Sequence, residues 1–137
     1  MTKKIVILEP YEGVRESFSL ILEDYNLFHA SDSAALFKVL EHLEDPDMVI
    51  IDVDSIFEPL DTIKQIAKRK DLKIILIAGD FSLEFQEAVV RISGDIRYWQ
   101  KPFASELLDY VQKILGDRPG RPESNFLRTV IDRISPQ

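Results

Sequence analysis

Three stretches of the chain are apolar almost without interruption: Ile5-Val6-Ile7-Leu8, Met48-Val49-Ile50-Ile51 and Ile74-Ile75-Leu76-Ile77. Each is short, rich in β-branched side chains and bounded by polar residues, which is the pattern of a strand rather than a helix. A strand that is apolar at both odd and even positions must be covered on both faces. A parallel sheet sandwiched between helices meets that demand.

Five strands are predicted: Lys4–Leu8, Asn26–Ala30, Met48–Asp52, Lys73–Ala78 and Ile96–Gln100. The second is less apolar and the fifth includes Arg97 and Gln100, so both suit sheet edges. Helical spacing fills the gaps between strands. Val14, Phe18, Ile21 and Leu22 mark a first helix near residues 12–24. Leu36, Val39, Leu40 and Leu43 mark a second, starting after Ser31 or Asp32 as N-cap. Leu60, Ile63, Ile66 and Ala67 mark a third. Phe85, Ala88, Val89 and Ile92 mark a fourth, closed by Gly94, and Leu107, Leu108, Val111 and Leu115 a fifth, closed by Gly116. Strict alternation of this kind gives an α/β, doubly wound sheet with helices on both faces, and five strands suit the flavodoxin-like order 2-1-3-4-5. Right-handed crossovers then bring every strand's C-terminal end to one rim, where ligands of such sheets bind.

Residues 1–116 are expected to form this domain. After them, Asp117-Arg118-Pro119-Gly120-Arg121-Pro122 reads as a linker, leading to a short amphipathic helix over 124–134. Phe126, Leu127, Val130, Ile131 and Ile134 share its apolar face, which either packs on its own domain or meets a partner, a second copy included.

Composition narrows function further. The chain has 137 residues and no cysteine, which excludes disulfides, thiolate metal sites and cysteine nucleophiles. A net charge of −7 repels nucleic acid in the absence of a basic patch, and none stands out, so no nucleic-acid partner is expected. No run approaches the length of a membrane span and no signal peptide is visible, so a cytoplasmic protein with no membrane partner is expected. Dinucleotide binding lacks its glycine fingerprint, since Glu9-Pro10-Tyr11-Glu12-Gly13 follows the first strand. His29 and His42 stand alone and do not read as ligands.

The rim is where chemistry concentrates. The strand ends place Glu9-Pro10, Asp52 with Asp54, Ala78-Gly79 and Lys101-Pro102 there. A carboxylate in such company can attack phosphorus, and a lysine can neutralise the transferred group. Pro46-Asp47-Met48-Val49-Ile50-Ile51-Asp52 resembles the segment of bacterial response-regulator receiver domains that ends in the phosphoacceptor aspartate. Gly94 through Phe103 resembles the fifth-strand signature of that family: a lysine, a following proline in cis, and an aromatic three residues before the lysine. Ala30-Ser31-Asp32-Ser33 with Ala35-Leu36, and Ile5–Glu9 with Arg15, are similar to further segments. The similarity runs in order over residues 3–116.

The resemblance implies a receiver in two-component phosphorelay signalling, a phosphoprotein that at most catalyses its own phosphorylation and dephosphorylation. Asp52 would accept the phosphoryl group and Lys101 would pair with it. Tyr98 would be the switch aromatic. Glu9, Asp52 and the backbone carbonyl of Asp54 would hold Mg²⁺, so the Asp54 side chain would matter little. A histidine kinase or phosphotransfer protein would be the donor. The length leaves no room for a DNA-binding effector domain, so a stand-alone receiver acting on a downstream protein target is expected, with a homodimer as one arrangement.

The chain departs from the pattern in one neighbourhood. Pro10 stands where the family has its second acidic residue, so Mg²⁺ binding is expected to be weak. The strand-four hydroxyl is missing at Ala78 (or Gly79), and Ser82 is expected to cap the next helix instead. Ser55-Ile56-Phe57-Glu58-Pro59 replaces the family's usual loop. These departures favour an alternative reading: a pseudo-receiver that works as a protein-interaction module without phosphate.

Overall fold

The structure, a computed structural model, describes residues 2–116. The linker and C-terminal helix expected over 117–137 lie outside the described residues. Five strands and five α-helices alternate: β1 (Lys4–Leu8), α1 (Glu12–Ile21), β2 (Asn26–Ala30), α2 (Ser33–His42), β3 (Met48–Asp52), α3 (Pro59–Ile66), β4 (Lys73–Ala78), α4 (Leu83–Val90), β5 (Asp95–Gln100) and α5 (Ser105–Leu115). A single 3-10 turn, Val53–Ser55, lies between β3 and α3. The sheet is parallel throughout in the order β2-β1-β3-β4-β5.

The apolar runs become the three inner strands, and alternation along each divides the core in two. Ile5, Ile7, Met48, Ile50, Ile75 and Ile77 face α1 and α5, whose Phe18, Ile21, Leu107, Leu108 and Val111 cover them. Val6, Leu8, Val49, Ile51, Ile74 and Leu76 face the other way, under α2, α3 and α4. Each buried Ile, Leu or Val contributes roughly 1.5–3 kcal/mol by leaving water, so this twofold burial dominates the fold's stability. The edge strands differ as their composition predicts. Only Ala30 is buried in β2, and no residue of β5 is fully buried.

Polar contacts secure the other ends of the inner strands. Asp47 Oδ2 accepts from the Lys4 backbone N–H at 2.8 Å, Lys4 Nζ donates to Glu44 O at 2.9 Å, and Lys73 N–H donates to Asp47 O at 3.2 Å.

Helix ends follow local chemistry. Asp32 caps α2 by accepting from Ala35 N–H at 2.7 Å, and Ser82 caps α4 by accepting from Phe85 N–H at 3.1 Å. Gly116 ends α5 in the left-handed conformation, φ 74°. Three expectations need correction. The helix predicted to 24 stops at Ile21, because Leu22 caps it and Tyr25 N–H turns back to Leu22 O. Gly94 does not close the fourth helix: α4 ends at Val90, with Arg91 as its cap. Strand β5 starts one residue early, at Asp95, opposite Lys73.

Candidate functional site

Parallel pairing delivers Asp52, Ala78 and Gln100 to the same rim, with Lys101 following at the end of β5. The Lys101 backbone N–H donates to Ala78 O at 2.7 Å, tying the two strand ends together, and the Lys101–Pro102 peptide is cis. Asp52 is nearly closed off from solvent at 4% exposure. Lys101 Nζ lies 3.0 Å from Asp52 Oδ1 and 3.3 Å from Asp54 Oδ2. Asp54 N–H also donates to Asp52 Oδ1, at 3.2 Å, because the 3-10 turn folds the chain back over the strand end. On its far side, Asp54 Oδ2 accepts from Gly79 N–H at 2.8 Å.

Glu9 follows β1 beside this cluster and is fully buried. Its Oε1 accepts from Tyr11 N–H at 3.0 Å, while no donor among the described residues reaches Oε2. Burial raises the Glu9 carboxyl to about 7, with the neighbouring Asp52 carboxylate adding to the effect. The Asp52 carboxylate beside it thus favours the protonated form of Glu9. Burial also works to raise Asp52, but hydrogen bonds from Glu9 and Lys101 outweigh it, so Asp52 lies below the usual carboxylate range. Burial works to lower Lys101, and Asp52 and Asp54 more than compensate, so its ammonium is held charged. The result is an ionised carboxylate facing a committed cation. Such a pair can attack an electrophile and neutralise the group it receives.

The structure brings together Glu9, Asp52, Asp54 and Lys101, all four found by reading strand ends. The Asp54 side chain, expected to matter little, makes two of the site's contacts, because the 3-10 turn points it across the pocket to β4. Sequence reasoning missed this, since the Gly79 contact spans 25 residues and no local pattern encodes it. Arg15 was noted only as part of a resemblance. It holds the loop after β1 through main-chain oxygens, with Nη1 donating to Glu9 O at 2.9 Å and to Pro10 O at 2.8 Å. Ala78 is fully buried and brings no hydroxyl. Tyr98 is half-buried with its ring edge-on to Phe81, centroids 4.9 Å apart, and burial raises its hydroxyl above the usual value.

Among the described residues no group of three metal-ligating side chains converges, and the Asp54 carboxylate faces Lys101 and Gly79 instead of Glu9. Also among the described residues, no helix is long and apolar enough to cross a membrane.

No family model matches the chain, and no curated protein matches it either. Solved structures do. A response regulator from Thermotoga maritima is similar over 85% of this chain and 100% of its own, with 23% identity and a TM-score of 0.73. A CheY-like receiver domain protein from Methanospirillum hungatei JF-1 is similar over 85% and 95%, with 22% identity and a TM-score of 0.76. The chemotaxis protein CheY4 of Vibrio cholerae is similar over 83% and 99%, with 21% identity and a TM-score of 0.71. The chain has the fold of these receiver domains, strand order included.

Proposed function

We propose that this chain is a response-regulator receiver in a phosphorelay, with Asp52 as its phosphoacceptor. The observation that carries the reading is the 3.0 Å contact between Lys101 Nζ and a buried, ionised Asp52 at the C-terminal rim of the sheet. In the step, an Asp52 oxygen forms a bond to phosphorus as the bond between phosphorus and a histidine nitrogen of the donor breaks. The imidazole leaves with the electron pair and takes its proton from solvent. Lys101 neutralises charge on the transferred oxygens. The donor is a histidine kinase or phosphotransfer protein, and the output is a contact with a downstream protein. Tyr98, packed on Phe81 beside α4, is the aromatic through which the modification would alter that surface. A divalent cation would be held weakly by Glu9, Asp52 and the Asp54 carbonyl, and no step of this reading runs through it. The protein turns over no substrate other than its own phosphoryl group, and its place is the cytoplasm.

A second reading has its own support. Pro10 and Ala78 each remove a polar group from the pocket, and Asp52 is already paired without phosphate. On that reading the chain is a pseudo-receiver, an interaction module whose surface is fixed. Incubation with acetyl phosphate and Mg²⁺, followed by intact-mass measurement, separates the two. One added phosphoryl mass that disappears in Asp52→Asn supports the receiver. An unchanged mass at saturating donor leaves the pseudo-receiver.

A further inference from the structure

We propose that the Asp54 carboxylate is a resident stand-in for a phosphoryl oxygen, occupying the donors that a group on Asp52 would need. The inference rests on Asp52 being the phosphoacceptor, but it concerns a different residue and a different question: what fills the anion seat beforehand.

Three donors converge on the pocket beside Asp52: Lys101 Nζ, Gly79 N–H and Asp54 N–H. The last is spent on Asp52 Oδ1 itself. Gly79 N–H goes to Asp54 Oδ2 at 2.8 Å, and Lys101 Nζ is divided between Asp52 Oδ1 at 3.0 Å and the same Asp54 Oδ2 at 3.3 Å. Ala78 contributes no hydroxyl that could serve an incoming anion in their place. One ammonium and one backbone N–H aimed at a single anionic oxygen make the donor set that a phosphate oxygen seeks.

A phosphoryl group on Asp52 carries between one and two negative charges and three acceptor oxygens. It competes with an ionised Asp54 for Lys101 and Gly79 N–H, because like charges gathered around the same donors repel. Displacing one of the two anions relieves that repulsion. Asp54 can, since its side chain is 44% exposed and can turn into solvent without losing hydration. Asp52, buried at the strand end, cannot. Asp54 therefore sets how readily the pocket accepts a phosphoryl group.

The test compares wild type, Asp54→Ala and Asp54→Asn, each at equal acetyl phosphate and Mg²⁺, by the rate of phosphoryl mass gain. Asp54→Ala should gain it about tenfold faster than wild type, with Asp54→Asn between them. Equal or slower gain in Asp54→Ala overturns the proposal while leaving Asp52 as acceptor. Absence of gain in every variant sinks the acceptor reading, and the seat is then judged with inorganic phosphate against ¹⁵N-labelled full-length protein. A Gly79 amide that shifts at lower phosphate concentration in Asp54→Ala than in wild type upholds the stand-in. A Gly79 amide unmoved in both, or moved equally, overturns it.

Discussion

The two halves of the rim pocket are built to different standards. On the side of β4 and β5, Lys101, Gly79 and Asp54 form a closed set of contacts around Asp52 Oδ1. On the side of β1, Glu9 Oε2 is buried with no donor among the described residues, and Pro10 supplies no N–H and no carboxylate. The anion-handling half is complete and the cation-handling half is not. On the anion side, charge is balanced by Lys101, which contacts both Asp52 and Asp54.

The strongest way to break this contrast is to remove Lys101. Lys101→Ala should lower the rate of phosphoryl gain from acetyl phosphate by about a hundredfold or more, as when a catalytic charge-stabilising donor is lost. It should also lower stability by about 2 kcal/mol in denaturant melts. Fully buried pairs cost more when broken, but Lys101 is 32% exposed.

Next in size is Glu9→Gln. A carboxyl whose folded pKa is raised from 4.5 to about 7 favours folding fully below 4.5, and loses that contribution as pH rises through 7. Wild-type stability should thus decline between about pH 4.5 and 7, and Glu9→Gln should flatten the decline. At pH 8 the variant should be more stable by on the order of 2 kcal/mol, read by urea midpoints across pH. Asp52 acts in the opposite sense: its lowered pKa makes a contribution that is lost as pH falls below 3.8.

Pro10→Asp sharpens the contrast by adding the absent ligand. It should tighten Mg²⁺ binding by about tenfold in calorimetric titration, through one more carboxylate oxygen on the β1 side. The smallest effect belongs to Ala78→Ser. One further hydroxyl donor on the anion side is worth roughly 0.5–1.5 kcal/mol, so phosphoryl gain should rise only severalfold.

The fold was legible because its inner strands leave little choice. Ile5–Leu8, Met48–Ile51 and Ile74–Ile77 demand cover on both faces, and Asp32, Ser82 and Gly116 announce helix boundaries by local hydrogen bonding or φ. The misreadings sit where signals overlap. Gly94 looks like a helix terminator, but α4 ends at Val90 and the glycine instead precedes β5, where an added Cβ would come within 3.4 Å of the Ala67 Cβ. The site was legible to the level of which residues meet, since strand ends fix Glu9, Asp52 and Lys101. How they share protons and donors was not. Glu9 titrates high because burial isolates it, and Asp54 reaches Gly79 because a 3-10 turn redirects it. Both are outcomes of tertiary packing.

The doubly covered inner strands carry a further cost. With Ile5, Val6, Ile7 and Leu8 all apolar, sliding β1 by one residue would exchange the faces of its inner positions for equally apolar ones, so only the charged ends, Lys4 and Glu9, register the slip. Oil alone cannot hold such a strand in phase. That task falls to the polar ends, above all Asp47, whose carboxylate grips Lys4 while its own main chain bonds β1 and β4. A charged residue far from the reactive rim thus keeps Glu9 and Asp52 abreast of one another.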